Sequence, residues 1–188
     1  MNADRPSLTG SAVLRALTPA IAPAMREAGC TRQKWTLGFS RRASNDWFAL
    51  CVGLSRPWPV SASFVVINVD IGLARIEDAR AGRYRRLSRV LGPGAERSAL
   101  LAYRNAEIAA ARVRDAAHVD DRHAMPNASL YRPIADDLPE NYYADVWLPV
   151  ATPDAAALVP LLPKLLIAAL DRVADARVDG SRLLLDGE

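Results

Sequence analysis

The feature that most constrains the fold is a run of β-branched and aromatic residues between positions 61 and 73. Aliphatic residues occupy every second position of its centre: Val65, Ile67, Val69, Ile71. The alternate positions hold Phe64, Val66, Asn68, Asp70. Successive side chains of a β-strand point to opposite faces, and β-branched residues favour that conformation. The run therefore predicts a strand over residues 61–73 with one apolar face and one mixed face.

Two segments before this run predict further strands. Residues 33–42 alternate in the same way, and residues 47–55 form a second apolar run. The linkers at 43–46 and 56–59 are too short for a parallel crossover, so the three strands are expected to be antiparallel. Residues 142–150 are a candidate for a fourth strand.

The alternation divides this predicted sheet into two faces. The face expected to be buried carries Trp35, Leu37, Phe39, Phe48, Leu50, Val52, Val65, Ile67, Val69. The opposite face carries Lys34, Thr36, Trp47, Ala49, Cys51, Gly53, Phe64, Val66, Asn68, Asp70. Because the second face mixes small, aromatic and polar residues, we expect either a shallow groove or a second packing surface for a helix over residues 95–117.

An N-terminal helix is predicted over residues 7–28. Its apolar stripe has a spacing of three to four residues: Leu14, Leu17, Ile21, Met25. Thr18 and Pro19 are typical of a fresh helix start. Pro23 is expected to kink or break the helix, and Gly29 is expected to end it.

Two helices are predicted in the second half of the chain. Residues 95–117 are rich in Ala, Arg, Glu and Leu, which favour helix. The Thr-Pro-Asp sequence at 152–154 is typical of a helix start, because it combines a hydroxyl cap, a proline and an acid. Pro160 and Pro163 are expected to interrupt that helix, which should resume over residues 164–176.

The order of elements predicts an α+β fold. A helix, a run of strands, a helical insertion and a final helix do not alternate as βαβ units do. The chain of 188 residues, with 51% hydrophobic and 24% charged residues, suits one globular domain. We expect a single domain over 1–188 with an insertion at about 75–140. Its antiparallel sheet should have three to five strands packed against the N- and C-terminal helices.

The first half of the chain carries a recognisable pattern. Its elements are a Trp-x-x-x-Phe spacing at Trp35 and Phe39 and the sequence Val66-Ile67-Asn68-Val69. With the preceding helix, this pattern resembles an uncharacterised bacterial family, a domain of unknown function, over about residues 10–80. The resemblance implies an α+β architecture and a bacterial cytoplasmic setting, and it implies no particular activity.

The mixed face of the sheet holds the residues that we nominate as a ligand or partner surface: Trp47, Cys51, Asn68, Asp70. On the simplest register, a polar anchor from the third strand lies beside an aromatic and a thiol from the second. The alternative is ordinary solvent-face alternation. Cys51 is expected to pack as a small apolar residue, because neither histidine is placed near it to form a thiolate.

Two other clusters support alternative functions. His118 and His123, with Asp115, Asp120 and Asp121, predict a metal-dependent enzyme or small-molecule site, although their spacing equally suits a solvated loop. Residues 75–89 carry six arginines, including Arg83 to Arg89, and predict a weak nucleic-acid site. Internal pairing with later acidic residues is the favoured interpretation of this cluster, so nucleic acid is not the expected partner.

The sequence favours a non-catalytic, cytoplasmic, protein-binding or accessory domain of an immunity-like kind. It assigns no catalytic, metal-ligating or cofactor-binding residue. The polar residues 1–6 do not resemble a secretory signal, and no apolar run approaches the ~20 residues of a membrane-spanning helix. A membrane partner is therefore not expected.

Overall fold

The computed structural model describes residues 8–33, 38–42, 48–59, 65–75, 83–114 and 146–178. Six strands are present in these ranges: β1 Thr31–Arg32, β2 Phe39–Arg42, β3 Phe48–Pro59, β4 Val65–Arg75, β5 Arg83–Arg86, β6 Leu148–Val150. Four helices accompany them: α1 Gly10–Glu27, α2 Leu87–Leu91, α3 Ala95–Arg114, α4 Leu162–Val178.

The six strands form one antiparallel sheet with the order β1-β2-β3-β4-β5. Strand β6 also pairs with β4, on the part of that strand that β5 leaves uncovered. Residues Asp70 to Leu73 of β4 pair with β5, and residues Val65 to Ile67 of β4 pair with β6. The predicted α+β class and antiparallel pairing are confirmed. The six strands exceed the upper expectation of five by one, because neither β1 nor β5, which falls in the arginine-rich segment, was predicted as a strand.

The inner face of the sheet, which carries Phe39, Leu50, Val52, Leu54, Val65, Ile67, Val69 and Ile71, is buried in one large apolar cluster. All four helices contribute to that cluster, α3 through Leu100 and Leu101, and β6 adds Leu148 and Val150. The predicted division of β3 and β4 into a buried face and a mixed face is thus confirmed wherever side chains are described. Trp35 and Leu37 lie outside the described residues, as do the side chain of Phe48 and most of the expected second face before Cys51.

Helix α1 is continuous, so the predicted break is wrong. Pro19 and Pro23 both lie inside it, and both are exposed. A proline removes a helical hydrogen bond, but on the exposed side water can satisfy the carbonyl that is left. The buried stripe from Leu14 to Met25 holds the helix against the sheet. Thr18 is a buried interior residue and not a cap.

The predicted end of α1 at Gly29 is confirmed. Gly29 has φ +78, a left-handed conformation that glycine adopts without steric cost. Its N–H donates to the carbonyl of Arg26, and the N–H of Cys30 donates to the carbonyl of Met25. These two bonds form a Schellman motif, which directs the chain into β1.

The predicted helix start at residues 152–154 is wrong, because this segment forms turns and α4 begins at Leu162. The Thr152 hydroxyl donates to Oδ1 of Asp154 at 2.6 Å, and the same oxygen accepts the N–H of Ala156. Ala155 has φ +52, which stops helix propagation. The side chains expected to cap a helix therefore form hydrogen bonds that stabilise a local turn.

The predicted strand over residues 33–42 is also corrected. Thr31 pairs with Ser40 and Arg32 pairs with Phe39, so the chain reverses direction between β1 and β2. Alternation identifies extended chain but does not locate the reversal of a short hairpin. The final helix, expected over 164–176, extends over Leu162–Val178, and β6 occupies the end of the predicted strand over 142–150.

Candidate binding site

The outer face of the sheet, opposite the apolar cluster, carries three of the four nominated residues. Cys51, Asn68 and Asp70 all lie on it, since Cys51 is paired with Gly72, and Asp70 with Gly53. The strand alternation that buries Ile67 and Val69 inward places Asn68 and Asp70 outward. Trp47 lies outside the described residues.

Asn68 and Asp70 contact each other directly. Nδ2 of Asn68 donates to Oδ2 of Asp70 at 3.1 Å. Residues two apart on one strand lie on the same face of the sheet, so their side chains can contact each other. The sequence placed these two residues on one face, and the structure brings their polar ends into a hydrogen bond.

Asp70 also pairs with Arg86 of β5. Nη1 of Arg86 donates to Oδ1 of Asp70 at 2.9 Å, and the two side chains are 17% and 18% exposed. The register explains the contact, because Asp70 and Arg86 are directly opposite each other across β4 and β5. A charged pair that is largely withdrawn from water is held more firmly than a surface pair.

The Arg86 guanidinium stacks on the ring of Trp147, with Cζ 4.6 Å from the ring centroid. This cation–π contact joins the start of α2 to the start of β6. The sequence identified neither residue as part of this site, and Arg86 belongs to the arginine cluster that predicts a weak nucleic-acid site. Residues 83–86 read Arg-Tyr-Arg-Arg, without the apolar–polar alternation that predicts a strand, and nothing in the sequence pointed to Trp147 as the neighbour of Arg86.

The amide oxygen of Asn68 has no hydrogen-bond partner among the described residues. Asn68 is only 7% exposed, and its orientation is fixed because the Asp70 carboxylate requires a donor. Buried polar atoms are nearly always hydrogen-bonded, so an unsatisfied acceptor at this position is a feature that requires an explanation.

Cys51 is a buried free thiol. Burial raises its pKa, so the thiol is protonated at neutral pH and is a poor nucleophile. The expectation that Cys51 packs as a small apolar residue agrees with this burial. Cys30 is also free and buried, and burial is the main cause of its raised pKa.

Helix α3 covers one end of the outer face. Val66 of β4 packs with Ile108 and Ala111 of α3 in a small second cluster, against which Trp147 also packs. The hydroxyl of Tyr103 donates to the carbonyl of Pro149 at 2.6 Å and ties the helix to β6. The expected second packing surface for this helix is therefore real, but it occupies the β6 end of the face.

The outer face is open at Gly53. A Cβ built on this residue meets no described atom within 4 Å. The two described helices with the main contacts to β3 are α1 and α4, which belong to the inner cluster. A helix thus covers one end of the outer face, and the space at Gly53, beside Asp70, is open.

The other nominated clusters are only partly described. The segment with His118 and His123 lies outside the described residues, and within the described ranges no group of three or more His, Cys, Asp or Glu side chains is placed to hold a metal ion. In the arginine-rich segment, Arg86 is engaged by Asp70 and Trp147. Its guanidinium is therefore committed to the sheet.

Comparison of the chain with protein-family models, with curated proteins and with solved structures finds no match. The resemblance to a bacterial family therefore stays a prediction. None of the helices in the described part of the chain combines the length and apolarity that a membrane crossing requires.

Proposed function

We propose that this protein is a non-catalytic binding domain that recognises a segment of another protein through the outer face of its sheet. The recognition site consists of Asn68, Asp70, Arg86 and Trp147, beside the open space at Gly53. The observation that carries the proposal is the ordered chain of contacts from Asn68 through Asp70 and Arg86 to Trp147, beside the open space at Gly53.

The surrounding contacts support a recognition role because they fix the geometry of the site in advance. Asp70 is held from two directions, by Asn68 and by Arg86. Arg86 is itself stacked on Trp147. A site whose side chains are already ordered loses little conformational entropy on binding, which favours affinity.

A protein segment is the occupant that fits best. It presents a neutral polar donor at every backbone N–H, together with apolar side chains that can lie against an aromatic ring and a glycine. The site offers complementary groups: the polar side chains of Asn68 and Asp70, the aromatic ring of Trp147 and the open space at Gly53.

Selection from a phage-displayed library of random peptides tests the proposal. We expect the wild-type protein to enrich a peptide family, and Asp70→Asn to reduce the affinity for the selected peptide about tenfold, since losing one charged hydrogen bond removes roughly 1.5 kcal/mol. Asp171→Asn is the matched control, because it removes the carboxylate of a second Arg–Asp pair among the described residues, with Arg41. It should leave peptide binding unchanged.

The position of the bound peptide gives a second, independent readout. Backbone resonances of Gly53, Asn68 and Gly72 should shift on titration, whereas those of α1 and α4 should not. If no peptide is enriched, or if the enriched peptides shift α1 and α4 instead, the outer face is not a protein-binding site and the proposal is wrong.

A further inference from the structure

We draw no further inference here: the strongest candidate, the exposed face of helix α3 on which Ala99, Ala102, Ala106, Ala109 and Val113 recur every three to four residues, is an apolar stripe of mostly small side chains, and nothing in the structure shows what covers it.

Discussion

The two faces of one sheet follow different physical rules in this protein. On the inner face, alternate residues of β4 join a single apolar cluster to which four helices contribute. On the outer face, the intervening residues form a short polar chain, from Asn68 through Asp70 and Arg86 to the ring of Trp147. Non-directional burial dominates the first, and directed contacts dominate the second.

The comparison shows how strongly one strand is constrained by its two faces. A slip of one residue in β4 would place Ile67 and Val69 among the polar residues and move Asn68 and Asp70 into the apolar cluster. The apolar face therefore fixes the register, and the register in turn positions Asp70 opposite Arg86. The geometry of the site therefore depends on the packing of the core, although the site residues lie on the opposite face of the sheet.

The largest expected effect comes from a matched pair of substitutions on adjacent residues. Val65 and Val66 are both buried, but Val65 belongs to the large inner cluster and Val66 to the small outer one. Val65→Ala should lower the free energy of unfolding by about 2.5 kcal/mol and Val66→Ala by about 1.5 kcal/mol, because the smaller cluster can relax around the lost methyl groups.

Urea denaturation of both variants measures this difference, provided that the m-values remain equal to that of the wild type. Equal losses would mean that the outer cluster is packed as rigidly as the inner one. A larger loss for Val66→Ala would reverse the comparison and identify α3 as a main support of the sheet.

Much of the inner face could be predicted from the sequence because buried apolar residues recur with the period of the strand or helix that carries them. The alternation of β4 identified its buried residues, and the stripe on α1 identified that helix. Continuity across Pro19 and Pro23 could not be predicted, since tertiary packing outweighs the two lost bonds. The turns at Thr152 were missed for a similar reason, because a good cap residue also forms local turns.

The outer face was predictable only within one strand. The sequence predicted that Asn68 and Asp70 lie on the same face, because they are two residues apart in a strand. Arg86 is 16 residues and Trp147 is 77 residues beyond Asp70 in the chain, and their approach depends on the way β5 and β6 divide one edge of β4. Contacts between residues so far apart in the chain leave no local sequence pattern. They can be predicted only when the pairing of the strands is known.

A smaller effect on the free energy of unfolding is expected from removing the arginine of either Arg–Asp pair described above. Arg86→Ala should lower the free energy of unfolding by about 2 kcal/mol, because Asp70 loses a charged hydrogen bond in a largely buried position. Arg41 and Asp171 are closer, at 2.6 Å, but are 28% and 50% exposed. Arg41→Ala should therefore cost no more than about 0.5 kcal/mol.

Thermal and chemical denaturation at low and high salt distinguish the two pairs. The cost of Arg41→Ala should fall further as salt screens the exposed pair, whereas that of Arg86→Ala should change little. If Arg41→Ala proves the more destabilising of the two, distance rather than burial determines the strength of these pairs, and our account of the outer face is contradicted.

The smallest expected effect concerns the hydrogen bond that joins α3 to β6. Burial, with a further contribution from Glu107, raises the pKa of the Tyr103 hydroxyl, which donates to the carbonyl of Pro149. Tyr103→Phe removes this donor and should cost about 1 kcal/mol at neutral pH.

The cost of Tyr103→Phe should depend on pH in a definite direction. Above pH ~10 the tyrosine of the unfolded chain loses its proton while the folded protein retains it. The unfolded state is thereby stabilised, so the advantage of wild type over Tyr103→Phe should shrink by up to about 1.4 kcal/mol for each pH unit above that point. Urea denaturation of both proteins between pH 7 and about pH 11 measures the difference. An advantage that stays constant over this range would show that the Tyr103 hydroxyl titrates alike in both states and would contradict this account of its burial.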